Sequence, residues 1–317
     1  MLADAVFEGG GVKGIGIVGA LCCLEEKGYK WQRFAGTSAG AMIAALLAVG
    51  YCGSEIKRIL LKTDYRMLID KSRVQSIPVL GKPLGFIFEK AIYDGKYLED
   101  WIEHMIKAKG KTKFRDVYKN GGFRLKIIAS DITKKEMIIL PDDLVKYGID
   151  PMDFSISKAV RMSMSLPFYF KPVRLNGKDG ESIIVDGGIL SNFPIWIFDV
   201  KGIPRWPTIG FKLVEPDFKF EGTFKGNVIA YTLDIIRTML EENDARYIKN
   251  PDFIRTISIP TLGVKTTDFY ISMERNIQLF NSGYGSAIEF LKLWDFNKYV
   301  TKYRNSKCST RREMLMM

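Results

Sequence analysis

Histidine is all but missing from this chain: His104 is the only one in 317 residues. A Ser-His-Asp relay needs an imidazole, so a serine nucleophile here either recruits His104 or works without one. His104 lies in Leu98-Glu-Asp-Trp-Ile-Glu-His-Met-Ile106, far in sequence from any motif. Helical periodicity and alternating charge there predict a surface or half-buried helix over Gly95–Lys109. A single histidine also argues against a histidine-based metal centre, and no metal is expected. The four cysteines, Cys22, Cys23, Cys52 and Cys308, form no C-x-x-C pair, which argues against zinc-ribbon and thioredoxin chemistry. Cys22 and Cys23 sit in an apolar run and read as buried thiols of a reducing compartment. A secretory leader is lacking as well: Asp4 and Glu8 interrupt the N-terminal apolar segment, and no basic region precedes it. These features point to a cytoplasmic protein. The uncharged stretch Phe34–Ser54 holds four glycines, Thr37 and two serines, and its apolar heart, Ala41–Val49, is too short to cross a bilayer. It reads as a core helix.

Acidic residues are in the minority, 36 against 47 lysines and arginines, for a net charge of +11. A basic surface suits nucleic acid or an acidic membrane face. Hydrophobic residues make up 47% of the chain, a globular composition with enough length for a large core.

Along the chain, Ala3–Glu8 predicts a first strand, and Gly9-Gly-Gly-Val-Lys-Gly14 follows it and opens a helix over Ile15–Glu26. Gly9, Gly11 and Gly14 satisfy the G-x-G-x-x-G dinucleotide fingerprint, but Glu25 and Glu26 come too early to bind a ribose. The same loop also suits an oxyanion hole, because glycines let backbone N–H groups approach a substrate closely. Lys13 would neutralise the loop's surroundings or attract an anionic head group. Further on, Ser54–Leu68 reads as an amphipathic helix, and the Gly/Pro-punctuated stretch 71–93 as a lid, a lipid-facing flap or a packed loop. Strands are predicted over Phe123–Ser130, Glu136–Leu140 (antiparallel to it), Phe168–Val173, Ser182–Val185, Ile209–Val214 and Phe253–Ile259. Helices are predicted over Ile156–Met164, Asn227–Arg246 and Ser272–Trp294, and the basic end, Lys302–Arg312, reads as a solvated tail. We expect one domain over residues 1–300, with its motifs within 3–215, a helical part over 220–300 and a tail over 301–317.

Gly36-Thr-Ser-Ala-Gly40 has the form G-x-S-x-G, between a strand ending near Ala35 and a helix over Ala39–Val49. That is the setting of a nucleophile elbow. Gly36 and Gly40 are expected for steric reasons, since a Cβ at either would crowd the tight turn. Ser38 would project at a helix N-terminus, where developing negative charge is favoured. A loop and an elbow that each follow a strand of one parallel sheet meet at the carboxyl ends of those strands. Asp186-Gly-Gly188 also ends a predicted strand, with Asn192 and Pro194 constraining the loop beyond it.

Taken in order, Gly9-Gly-Gly-Val-Lys-Gly14, Gly36-Thr-Ser-Ala-Gly40 and Asp186-Gly-Gly188 resemble the patatin-like phospholipase family. Asp131-Ile-Thr, the Ala159–Pro172 segment with its Ser-Leu-Pro, and Gly283-Tyr284 add to the likeness, which spans residues 3–290. Lys13 and Gly188 stand where arginine and alanine are frequent. The resemblance implies an α/β fold, a three-layer α/β/α sandwich around a mostly parallel sheet, and a Ser–Asp dyad that hydrolyses lipid acyl esters without a cofactor. Ser38 would be the nucleophile, with Gly36 and Gly40 shaping its elbow. Asp186 would be the base, carried on a loop with Gly187 and Gly188. Gly9, Gly10, Gly11, Val12, Lys13 and Gly14, with Ala39, would furnish the oxyanion hole. The expected partner is phospholipid at an anionic membrane surface, with peripheral membrane association, rather than nucleic acid. A dinucleotide-binding oxidoreductase and a non-catalytic lipid-binding protein on the same fold are the alternatives.

Overall fold

The computed structural model describes residues 1–69, 91–215 and 250–304. The Gly/Pro stretch (apart from its last residues), the expected helix Asn227–Arg246, Cys308 and most of the basic tail lie outside the described residues.

Strand β1 (Leu2–Phe7) leads through the glycine loop into helix α1 (Gly14–Glu26). Strand β2 (Lys30–Thr37) runs into α2 (Ala39–Val49), and α3 (Gly53–Lys62) follows. Then come β3 (Ala91–Tyr93), α4 (Lys96–Lys107), a short hairpin of β4 (Tyr118–Lys119) and β5 (Gly122–Phe123), β6 (Leu125–Asp131) and β7 (Glu136–Leu140). Helix α5 (Ile156–Ser163) precedes β8 (Phe168–Phe170), β9 (Val173–Gly177), β10 (Gly180–Asp186) and β11 (Thr208–Val214). The described chain closes with α6 (Asn250–Ile254), β12 (Thr256–Pro260), α7 (Met273–Leu293) and α8 (Phe296–Tyr303).

The main sheet has the order β12-β11-β1-β2-β6-β10-β9, with β7 also on β6. Strands β12, β11, β1, β2 and β6 are parallel, while β7, β9 and β10 are antiparallel to their neighbours. The sheet is the middle of three layers. Residues alternate in β1: Ala5 and Phe7 face a core shared with α1 and α2, and Val6 faces the other side. Helices α1, α2 and α7 cover the first face, and every residue of α2 is buried. Each fully buried Leu or Ile there contributes about 1.5–3 kcal/mol. On the second face the described cover is the irregular run Phe193–Phe198, packed on Val6, Ala35, Ile128 and Ile139. Helix α7 lies close against α1, because a Cβ at Gly283 would overlap the Gly16 carbonyl. This contact clamps the helix whose N-terminus carries the glycine loop.

One feature of the sheet positions the site. Strand β2 pairs parallel with β6 and ends where Thr37 faces Ile128. Strand β10 pairs antiparallel with β6 and ends where Asp186 faces Ala129. Because β7 occupies the opposite edge of β6, β2 and β10 share one edge and meet tip to tip.

Several boundaries differ from the sequence reading. The stretch Ser54–Leu68 is not one helix: α3 stops at Lys62, and a 3-10 turn covers Tyr65–Leu68. Phe253 belongs to α6, not to the last strand, because Asn250-Pro251 starts a helix with proline in its first turn. Phe123 pairs in the small hairpin, outside β6. Phe168–Phe170 pairs with β3 in a separate two-stranded sheet, and β9 begins only at Val173.

Candidate active site

Ser38 occupies the turn between β2 and α2 with φ 53° and ψ −125°, a conformation that a serine rarely adopts. The flanking glycines are required by space. A Cβ on Gly36 would overlap the Gly40 carbonyl, and one on Gly40 would overlap the carbonyls of Phe7 and Glu8 at the end of β1. Thr37, at the tip of β2, donates from its hydroxyl to the Ser191 carbonyl at 2.9 Å, which ties the elbow to the loop after Asp186.

Asp186 ends β10, with its carboxylate buried beside the Ser38 side chain. The Gly188 N–H donates to Asp186 Oδ1 at 2.8 Å. Burial drives the Asp186 carboxyl up to about 6, and the Gly188 N–H and the nearby Ser38 hydroxyl only partly oppose that rise. The result is a carboxylate basic enough to take a proton near neutral pH. Gly187 must be glycine here because a Cβ would overlap the Ile128 carbonyl.

The glycine loop lies beside this pair. Gly11 has φ +56°, and a side chain there would strike the Thr266 carbonyl. The expected donors of the loop are not equivalent. The N–H groups of Gly9, Val12 and Lys13 are engaged with the carbonyls of Asn192, Thr266 and Gly10, each at 3.2 Å. That of Gly14 goes to the Gly11 carbonyl. Among the described residues no acceptor takes the N–H of Gly10, Gly11 or Ala39. Lys13 does not stand free to attract an anion: its ammonium pairs with Glu215 at 2.7 Å. Lys212 pairs with Glu8 at 2.8 Å. These pairs keep that end of the site close to charge balance.

Ser38 and Asp186 open into a cavity of about 600 Å³. Its walls carry Met42, Leu68, Leu98, Leu166, Phe170 and Phe269, with the two lysine–glutamate pairs and Thr266 at the polar side. His104 is exposed on α4 and does not line the cavity. Among the described residues no group of acidic, cysteine or histidine side chains could hold a metal ion. No described helix is long and apolar enough to cross a membrane.

The structure brings Ser38, Asp186 and the glycine loop to one cavity, and residues to which the sequence reading gave no role hold them there. Asn192 receives the Gly9 amide and donates from Nδ2 to the Gly9 carbonyl at 3.3 Å. Thr266 receives Val12 through its backbone, which leaves no signature in the sequence. Ser163 accepts the Ser38 N–H at 2.8 Å. Asn192 carried a signal, as a polar residue in a constrained loop after Asp186, and Ser163 lies in the Ala159–Pro172 segment that adds to the family likeness.

The model of the patatin-like phospholipase family matches residues 5–199. The chain belongs to this family. It is 38% identical over 297 residues to the uncharacterized protein YqhO of Bacillus subtilis strain 168, covering 93% of this chain and 100% of YqhO. It is 30% identical over 190 residues to the probable lipid hydrolase 463L of Invertebrate iridescent virus 6, covering 60% of this chain and 61% of that protein. The crystal structure of VipD from Legionella pneumophila superposes with a TM-score of 0.54 at 20% identity, over 92% of this chain and 66% of VipD. At that identity the likeness to VipD concerns the fold alone.

Proposed function

We propose that this protein is a lipid acyl hydrolase that cleaves carboxylic ester bonds of phospholipids through a Ser38–Asp186 dyad. The observation that carries this reading is the buried Asp186 carboxylate, beside Ser38 in the lining of a largely apolar cavity. Asp186 accepts the Ser38 hydroxyl proton as Oγ attacks the ester carbonyl carbon. The carbonyl electron pair moves onto oxygen, and the unoccupied amides of Gly10 and Gly11, with that of Ala39, hold the oxyanion. Collapse breaks the bond to the alcohol, which leaves with the proton from Asp186, and an acyl-Ser38 ester remains. Water then gives a proton to Asp186 as it attacks this ester. Collapse releases the fatty acid and returns the proton to Ser38.

The apolar walls suit an acyl chain. Presentation from a lipid surface fits the exposure of Met67 and Tyr270, which are 57% and 77% accessible and adjoin the cavity-lining Leu68 and Phe269 in sequence. The excess of basic residues fits an anionic surface and peripheral association from the cytoplasmic side. Residues 1–300 act as one catalytic unit in this reading, because β12 completes the sheet and α7 packs on α1 beyond the family match.

The test is hydrolysis of mixed phospholipid vesicles, with products followed by mass spectrometry, together with labelling by a fluorophosphonate probe. Wild type should release fatty acid and be labelled at Ser38. Ser38→Ala and Asp186→Asn should each lose hydrolysis by at least about 1,000-fold. A folded wild type that neither cleaves lipid nor takes the probe would leave the non-catalytic lipid-binding reading standing.

A further inference from the structure

A non-glycine residue at positive φ costs roughly 1–3 kcal/mol and persists only where its surroundings fix it. At Ser38 the crowding around Gly36 and Gly40 is one such constraint. A hydrogen bond is another: the Ser38 N–H donates to Ser163 Oγ at 2.8 Å. The Ser163 hydroxyl spends its one proton on the Ile128 carbonyl at 2.5 Å, so a lone pair is aimed back at Ser38. Ser163 is fully buried, and its partner Ile128 lies on β6 opposite the tip of β2. Two residues further, the Ser165 carbonyl accepts the Asp186 N–H at 2.9 Å. The run Ser163-Met164-Ser165 therefore grips the main chain of both members of the dyad.

This run is itself anchored. The buried Arg161 guanidinium donates to the carbonyls of Gly95 at 2.9 Å and of Asp94 and Lys171 at 2.8 Å, and to Ser165 Oγ at 2.5 Å. Met164 and Leu166 line the cavity, so an acyl chain would lie directly against the segment that sets the dyad.

We infer that Ser163 is a positioning residue of the hydrolysis. By occupying the nucleophile's own amide, it fixes the turn that points Oγ at Asp186. It also keeps that amide out of the oxyanion hole, leaving the role to Gly10, Gly11 and Ala39. The inference rests on Ser38 being the nucleophile, which probe labelling of the wild type tests separately.

The experiment compares full-length wild type, Ser163→Ala and Ser163→Cys, each normalised to folded protein by near-UV circular dichroism. Alanine removes the acceptor. Cysteine keeps a side chain of similar shape but is a poor hydrogen-bond partner, so it serves where the alanine variant folds badly. In both, kcat and the rate of Ser38 labelling should fall about 10–100-fold, the scale expected of a misplaced reacting group, with KM within about twofold of wild type. A merely structural loss would lower the folded fraction and leave both rates per folded molecule unchanged. Either folded variant with kcat within about twofold of wild type, or a change confined to KM, overturns the inference. A wild type that the probe does not label at Ser38 overturns the dyad reading, and the role of Ser163 with it.

Discussion

Asp186 reaches Ser38 across almost 150 positions of chain because their strands end against consecutive residues, Ala129 and Ile128, of β6. The buried carboxylate that results is held up to about 6, mainly by loss of solvent. A base must be ionised to act. The rate of ester hydrolysis, as kcat/KM, should therefore fall as pH drops through about 6, with a slope of one proton. An acidic limb near pH 4 in a pH–rate profile would mean that Asp186 is solvated during turnover or is not the base.

The same shift has a consequence for stability. A carboxyl raised in the folded state keeps its proton longer than the unfolded chain does. Its contribution is fully present below about pH 4, the unfolded value, and is lost as pH rises through about 6. Asp186→Asn removes this titration and retains an oxygen for the Gly188 N–H. The variant should gain up to roughly 3 kcal/mol over wild type at pH 8 and gain nothing near pH 3.5. Urea unfolding at the two pH values measures the difference; a variant less stable than wild type at pH 8 contradicts the burial argument.

His104 is exposed on α4 and outside the cavity. Replacing it by alanine should leave kcat/KM for a soluble ester within about twofold of wild type and shift stability by no more than about 0.5 kcal/mol. A large loss in a folded His104→Ala variant would bring back a histidine-dependent relay.

Net charge +11 predicts that the initial rate on anionic phospholipid vesicles falls as ionic strength rises from about 0.01 M to 1 M, over which the screening length shrinks from roughly 30 to 3 Å. Hydrolysis of an uncharged short-chain ester in solution should change little over the same range. If vesicle hydrolysis instead increases with salt, attraction to the surface is not electrostatic.

What could be read in the sequence was what neighbours along the chain determine. Helix α2 spans Ala39–Val49 and β7 spans Glu136–Leu140, as their patterns predict, and Gly36 and Gly40 are needed for the expected steric reason. The Asn250-Pro251 helix start is equally local, yet the sequence reading places Phe253 and Ile254 in the last strand; they belong to α6, and Phe253 is 52% exposed. Long-range relationships left no such trace. That β10 runs against β6 follows from its hairpin with β9 and from the register along β6, and periodicity within β10 does not encode it. Engagement of the Gly9, Val12 and Lys13 amides depends on carbonyls from Asn192, Thr266 and Gly10, and a carbonyl is common to every residue type.

Strand β6 carries neither Ser38 nor Asp186, yet its ladder sets their separation. A slip of β10 by one residue would turn Asp186 to the opposite face. Evolution could therefore extend the β9–β10 turn, far from this pair, without moving either residue, whereas an inserted residue inside β6 would pull Ser38 and Asp186 apart.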